Sequence, residues 1–348
     1  MKKYFPILLA KAGELNALQR LSDNVKDETV PILEILSENL VDGEGKYKDD
    51  LQDRISEIWS FDDHELFVDF SLFEKIATHI TKVKRFLSFL LKNDIDVVPV
   101  IQFNSDPSYV ALVSSLISLY DCNICIRESN DTGGIIDFND HVADMLKTIG
   151  TVAAKTSLLI DLGFVESTND KMLAATAYTT IVSLPTPREW KEVIVASGSF
   201  LRDLGVLPGP ATQNSQAKVY RLPRLEWTIW TTLRAKTLPT DVKYSDYGTK
   251  HPYYLPAAFE GSASIKYTKE KEFVIYRGKK ASEHAKGGGQ YNDSAKALIS
   301  TSDYCGRGFS WGDNEIYEIG NRTDKPGNAE NWVRISQNHH ITFLHSLL

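Results

Sequence analysis

The chain has 348 residues, of which 42% are hydrophobic and 24% are charged, as expected of a globular protein with a large core. Its formal net charge of -7 argues against generic nucleic-acid binding, which needs clustered lysine and arginine. No apolar run approaches the ~20 residues of a membrane span, and only three cysteines are present. We therefore expect a cytoplasmic protein without membrane association or disulfides.

Eight apolar runs recur along the first 250 residues, and segments with helical spacing lie between them. The predicted strands are residues 5–11, 30–36, 65–71, 96–103, 123–128, 156–164, 191–200 and 241–248. In the sixth run, apolar residues bracket a single carboxylate, Asp161, and a glycine follows shortly after. A continuous apolar run of this kind is typical of a strand that is buried on both faces of a parallel sheet.

Strands that alternate with helices in this way predict an α/β fold, a (β/α)8 TIM-type barrel over residues 1–250. A doubly wound open sheet is the main alternative. It lacks support because Lys11, Ala12 and Gly13 follow the first strand where a glycine-rich fingerprint is expected. Residues 251–348 exceed the single helix that a barrel still needs. We expect them to form a C-terminal extension that packs on the barrel, replaces or covers its last helix, and is a candidate lid over the barrel mouth.

Each predicted strand ends in a polar residue at a comparable depth. These residues are Lys11, Glu34, Asp69, Gln102, Arg127, Asp161, Ser199 and Asp246. In three strands a proline precedes the polar residue by an odd number of positions, which places the polar side chains on the same relative face. We expect a ring of polar groups at one barrel mouth. The alternative is that some members pair as salt bridges or mark the strand's exit to solvent.

The last hundred residues contain further candidates. His339 and His340 are adjacent, and they are metal ligands, a general base, or part of a helix that starts after Asn338. The KGGG run lacks the spacing of a phosphate-binding loop. The Cys122 and Cys125 pair has no partner pair, so buried thiols are the expected reading.

Several motifs are shared with a known family. They are YFPILLAKAGEL from residue 4, PRLEW from 223, SDYG from 245, YRG from 276, FSWGD from 309 and the terminal WVRISQNHHIT. Together they make the chain similar to the phage "beta protein" family, which is widespread in phages and bacteria. The resemblance covers nearly the whole chain and implies no settled reaction. The family's association with phages implies a role in phage–host conflict.

The polar mouth predicts a hydrolase that acts on a small anionic or phosphorylated substrate. The candidate catalytic residues are Glu34, Asp69, Asp161, Asp246, His339 and His340. The candidate ligand-binding residues are Lys11, Gln102, Arg127, Ser199, Tyr247, Arg277 and Asp313. A divalent metal with oxygen ligands and a glycosidase-like carboxylate pair remain open within this hypothesis.

The alternative function is a non-catalytic ligand sensor or a protein-interaction component. Four aromatic residues of the extension are candidates for a protein-docking surface or for the extension's own core. They are Tyr253, Tyr254, Trp311 and Trp332. A purely structural barrel fits poorly, because burying unpaired charges at eight strand ends is costly.

Overall fold

A computed structural model describes residues 4–59, 64–129, 138–256 and 261–348. The chain divides into two compact units. The first comprises Met1–Ala10, Asp27–Ser197 and Thr228–Tyr247, and the second comprises Lys11–Lys26, Gly198–Trp227 and Gly248–Leu348. The second unit therefore contains two segments from within the predicted barrel region, in addition to the C-terminal hundred residues.

Eleven strands are described. They are β1 (Tyr4–Leu9), β2 (Ile32–Glu34), β3 (Leu66–Asp69), β4 (Val97–Ile101), β5 (Ile124–Ser129), β6 (Thr156–Phe164), β7 (Glu192–Gly198), β8 (Lys218–Pro223), β9 (Val242–Asp246), β10 (Ser262–Thr268) and β11 (Glu272–Lys280). The described α-helices are α1 (Ala12–Gln19), α2 (Asp23–Lys26), α3 (Ser37–Leu40), α4 (Asp50–Ile58), α5 (Ile80–Lys92), α6 (Pro107–Tyr120), α7 (Phe138–Ile149), α8 (Asp170–Ser183), α9 (Leu225–Arg234), α10 (Gln290–Ile299), α11 (Trp311–Gly320) and α12 (Ala329–Leu347). None of these helices combines the length and apolar character that crossing a membrane requires.

The first unit is a closed barrel of eight parallel strands in the order β1-β2-β3-β4-β5-β6-β7-β9. Strand β9 closes the barrel on β1, with Pro6 opposite Asp246. The predicted TIM-type barrel is confirmed, and the eight predicted strands are the eight that form it. Its interior is filled by one apolar cluster: Phe5, Ile7, Val30, Ile32, Phe67, Val98, Val100, Cys125, Leu159, Ile194, Ala196 and Tyr247.

Local sequence explains the barrel helices. Helix α5 buries Val83, Phe86, Leu87 and Leu90, a spacing that forms one apolar stripe on a helix. Helix α6 begins with Pro107 at its first turn, where the missing N–H of proline has no helical partner to lose. The Asp106 carboxylate caps this helix by accepting a hydrogen bond from the Ser108 N–H at 2.9 Å.

The second unit contains an antiparallel three-stranded sheet in the order β10-β11-β8. One face of the sheet contributes Ile265 and Tyr267 to a core that also contains Leu298, Ile316 and Trp332. Strand β8 lies between the seventh and eighth predicted strands, in a part of the chain for which the sequence predicts helical spacing only. Its partner β11 lies about fifty residues further along the chain, and local patterning does not reveal such pairing. The predicted division at residue 250, and the lid, remain predictions.

Candidate functional site

Five buried polar side chains meet inside the barrel, and we call them the Arg127 cluster: Glu34, Asp69, Arg127, Asp161 and Tyr247. The Nη1 atom of Arg127 donates hydrogen bonds to Glu34 Oε1 at 3.2 Å and to Asp69 Oδ2. Its Nε and Nη2 atoms donate to Asp161 Oδ2 at 3.1 and 2.7 Å, and Nη2 also donates to the Tyr247 hydroxyl at 2.7 Å. A guanidinium has five N–H donors, and these five bonds use all of them.

Strand geometry places the cluster one layer above the apolar interior. Asp69 follows the interior residue Phe67 by two positions, and Asp161 follows Leu159 in the same way. Since side chains two positions apart on a strand share a face, the polar residues also point inward. They lie towards the carboxyl ends of their strands, which is the end where TIM-type barrels carry their sites.

Burial and charge fix the protonation of Arg127 and Tyr247. Burial alone would lower the pKa of Arg127, but Tyr247 and the carboxylates of Asp161, Asp69 and Glu34 outweigh it and raise that pKa well above its usual value. Arg127 is therefore cationic. Burial, with Asp161 nearby, raises the pKa of Tyr247 well above its usual value despite the opposing effect of Arg127. The protonated hydroxyl donates to Asp161 Oδ2 at 2.6 Å.

A cavity of about 180 Å³ lies at the ends of β3 and β4, and we call it the Asp69 cavity. Its polar lining residues are Asp69, Ser71, Gln102, Asn104, Ser105, Asp106 and Tyr109. The Asp69 carboxylate is held in one orientation at this cavity, because its Oδ1 accepts a hydrogen bond from the Ser71 N–H at 2.7 Å. Two predicted site residues, Asp69 and Gln102, therefore share one cavity.

Asp246 does not join the Arg127 cluster, which corrects the predicted ring at this position. Its carboxylate accepts hydrogen bonds from the hydroxyls of Tyr4 at 2.6 Å and Tyr244 at 2.8 Å. The inward residue at the end of β9 is Tyr247, one position later, and adjacent residues of an extended chain face opposite ways. Asp246 lies about as far along its predicted strand as the other polar residues lie along theirs, so the sequence pattern does not reveal this shift of one residue.

Three predicted ligand-binding residues lie in the second unit with partners of their own. Lys11, at the start of α1, donates to the Tyr254 hydroxyl at 2.8 Å. The Ser199 hydroxyl lies within hydrogen-bond distance of the Glu226 carboxylate and of the Pro223 carbonyl oxygen, and its single proton donates to one of them at a time. Arg277 donates from Nε to the Leu204 carbonyl at 2.9 Å, and burial lowers the pKa of Arg277.

The histidine pair lies in the middle of α12, so the predicted helix start after Asn338 is wrong. Asn328 caps that helix instead. His339 Nδ1 is 2.8 Å from Asp313 Oδ2, and its Nε2 is 3.0 Å from the Thr268 carbonyl oxygen. Both neighbouring atoms are acceptors, so each contact is a hydrogen bond when the ring nitrogen that makes it carries a proton. His340 Nδ1 is 2.9 Å from the Thr268 hydroxyl.

The Asp313 carboxylate is the buried partner of His339. It also accepts hydrogen bonds from the hydroxyls of Tyr267 and Ser310, both at 2.6 Å. Burial pushes the pKa of Asp313 upward, but the charge and hydrogen bond of His339 outweigh it, and the pKa lies below its usual value. His339, His340 and Asp313 are each 0% exposed. This arrangement stabilises the second unit, and the catalytic role of the histidines remains a prediction.

Trp332 belongs to the core of the second unit, where its ring stacks on Tyr291 with centroids 5.1 Å apart. Trp311 is partly buried and lies against the guanidinium groups of Arg20 and Arg334. For these two aromatics the extension's own core is the better interpretation. Cys122 and Cys125 are buried free thiols, as predicted.

Comparison with known protein families gives a match over nearly the whole chain. The family model described as Beta protein matches residues 4–345. The chain belongs to the Beta protein family. The search of curated proteins found no match. Among solved structures, the chain is similar to triosephosphate isomerase from Bartonella henselae, with a TM-score of 0.35 and 8% identity, over 71% of this chain and 92% of that chain. The barrel assignment rests on the strand pairing alone.

One motif shared with the family forms a second buried charge pair. In PRLEW, the Nε atom of Arg224 donates to Glu226 Oε1 at 2.9 Å, and both side chains are almost fully buried. The charged residues of this motif lie outside the predicted site, although the motif is one of those shared with the family. The sequence signal for this buried pair is the presence of two opposite charges, two positions apart, in an otherwise apolar segment.

Proposed function

We propose that this Beta protein family member is a hydrolase that binds a small, uncharged polar substrate in the Asp69 cavity. The observation that carries the proposal is the position of Asp69, which lines the cavity and is also bonded to Arg127. Parallel barrels place their reactive groups at the carboxyl ends of the strands, where this cavity lies.

Asp69 acts as the general base. The Asp69 carboxylate accepts a hydrogen bond from the cationic Arg127, and it is placed to take up a proton from a water molecule in the cavity. The Ser71 N–H and the guanidinium hold the carboxylate in one orientation. A water molecule in the cavity attacks the electrophilic carbon of the substrate and transfers a proton to Asp69. The bond to the leaving group then breaks with its electron pair going to the leaving group, which takes up the proton from Asp69, so that the carboxylate is regenerated.

The cavity lining favours an uncharged substrate over the phosphorylated one that the sequence suggested. Carboxylates of Asp69 and Asp106 line the cavity, and no lysine or arginine is among the described residues that do so. A phosphate group there would meet repulsion without a compensating cation. The guanidinium of Arg127 has no free N–H to offer, since all five are bonded within its cluster.

The proposal assigns the reaction to acid–base chemistry carried by Asp69. The carboxylates of Glu34, Asp69 and Asp161 converge on Arg127, whose guanidinium lies between them where a metal ion would have to lie. Within the described ranges, no group of three or more histidine, cysteine, aspartate or glutamate residues is arranged to hold a metal ion. A divalent metal is therefore tested as a separate arm of the assay.

The test is hydrolysis of a substrate panel by the purified protein. Carboxylic esters, amides and glycosides are compared with phosphoesters, each with EDTA or with Mg²⁺ or Mn²⁺. We expect turnover of an uncharged substrate in EDTA, and a loss of about 100-fold or more for Asp69→Asn, the usual effect of removing a general base. Asp246→Asn is the matched control, since Asp246 lies at the end of a barrel strand and bonds two tyrosines. No turnover of any substrate, or equal activity of the Asp69→Asn variant, would refute the proposal.

A non-catalytic ligand sensor in phage–host conflict is the second candidate. The closed hydrogen bonding of the Arg127 cluster favours it, because carboxylates bonded to the guanidinium are held in a fixed network, while Gln102 and the other uncharged groups of the Asp69 cavity are left to bind a ligand. A ligand that raises the melting temperature without being turned over, and loses this effect in Gln102→Ala, would support the sensor over the hydrolase.

A further inference from the structure

Lys266 lies on an apolar face of the sheet in the second unit. Within the antiparallel pair of β10 and β11 it stands opposite Ile275. Directly opposed residues of paired strands point to the same face, so Lys266 shares the face of Ile275. Ile275 forms a buried apolar cluster there with Phe200 and Phe273. A lysine among these residues is unusual, because an ammonium group loses hydration in such surroundings.

The amine of Lys266 has few compensating partners. Its Nζ donates one hydrogen bond, to the Thr249 carbonyl oxygen at 2.9 Å. It lies 4.5 Å from the centre of the Phe200 ring, which attracts a cation weakly. No ion pair of Lys266 is found in the described part of the chain, and Glu14 acts on it only as a nearby charge.

These surroundings leave a larger fraction of the amine uncharged at neutral pH than in an exposed lysine. Burial lowers the pKa of Lys266 to about 8, although the charge of Glu14 opposes the shift. At pH 7 about a tenth of such an amine is neutral, against less than about 0.1% for an exposed lysine. Lys266 as a residue is half-buried, so part of it is exposed to solvent.

We propose that Lys266 is an amine nucleophile that condenses with small aldehydes or ketones. The nitrogen lone pair forms a bond to the carbonyl carbon while the carbonyl π pair moves to oxygen, and a proton passes from nitrogen to oxygen to give a carbinolamine. Loss of water then gives the imine. The reaction consumes one amine and one carbonyl group, releases one water, and needs no other reactant. Nothing in it depends on Asp69 or on the hydrolase proposal.

The test is reductive alkylation of the native protein with propionaldehyde and cyanoborohydride between pH 6 and 10. Modified sites are mapped by peptide mass spectrometry, and the exposed lysines Lys171 and Lys296 are internal references. We expect alkylation of Lys266 to rise about fivefold from pH 7 to pH 8 and to level off above pH 9. Alkylation of the references should rise about tenfold per pH unit throughout this range.

Two variants make the test specific. Lys266→Arg keeps a cation and should lose the adduct at this position. Glu14→Gln removes the charge that opposes the shift, so the pH midpoint of Lys266 alkylation should fall below that of the unmodified protein. A Lys266 that follows the pH profile of the references, or that remains unmodified in the native protein, would overturn the inference.

Discussion

Replacement of Arg127 by methionine tests whether the Arg127 cluster depends on its single cation. The variant keeps an apolar side chain of similar length and removes all five hydrogen bonds. Three carboxylates, each at most 2% exposed, would lose their bonds to the guanidinium. Removing one partner from a buried ion pair typically costs about 3–5 kcal/mol, and three carboxylates share this partner, so we expect the upper end of that range or more.

The loss should depend on pH. Buried carboxylates without a cation have raised pKa values, so they bind protons in the folded variant more readily than in its unfolded chain. Their penalty is present at neutral pH and shrinks as the pH falls and they become protonated. Urea unfolding of the wild type and the Arg127→Met variant at pH 7.5 and pH 5 measures both effects.

An exposed arginine provides the control. Arg85→Met removes a guanidinium that lies over the Tyr47 ring on the barrel surface, and it should cost less than about 1 kcal/mol. If Arg127→Met lowers the free energy of unfolding no more than Arg85→Met does at pH 7.5, the charge of Arg127 does not stabilise the fold. A cost that does not change between pH 7.5 and pH 5 would show that the carboxylates do not carry the penalty.

Two further predictions concern the second unit. Asp313→Asn removes the buried charge next to His339 and should destabilise the protein by about 2–4 kcal/mol at neutral pH. Because the pKa of Asp313 is lowered in the folded chain, this stabilisation is present above the ordinary carboxyl pKa and is lost as the pH falls through the folded value, so wild type and variant should converge in acid. Urea midpoints that differ equally at all pH values would contradict this. Gly248→Ala should cost more than about 2 kcal/mol, because φ is +61° and an added Cβ would lie 2.1 Å from Gln337 Oε1. Gly45→Ala, with φ of +79° and nothing within 4 Å, should cost only about 1 kcal/mol by thermal melts, and equal losses would refute the clash.

Much of the barrel could be predicted because the sequence patterns that specify its strands and helices are local. Continuous apolar runs mark strands buried on both faces, and the two-residue period of a strand predicts which polar residues share a face. The structure brings Glu34, Asp69, Arg127 and Asp161 together for this reason. The two-residue period does not determine how the ends of neighbouring strands are aligned. On β9 the expected inward residue was therefore Asp246, whereas the structure has Tyr247, one position later, facing the interior.

The second unit could not be predicted in the same way, because its contacts are distant in sequence. Strand β8 pairs with β11, so that Pro223 lies opposite Glu272. The ion pair of Asp313 and His339 joins α11 to α12 in a fully buried position. Adjacent histidines in a sequence resemble a reactive site, and only the structure shows that His339 and its partner Asp313 are fully buried.

The most direct test of the central claim, that the Asp69 cavity is where the substrate binds, is a crystal structure of the Asp69→Asn variant with a substrate found in the hydrolysis panel. The account predicts substrate density in the cavity between the ends of β3 and β4, with a polar atom within hydrogen-bond distance of the Gln102 side chain and the cleavable bond facing residue 69. Substrate bound elsewhere in the molecule, with the Asp69 cavity holding only water, would contradict it.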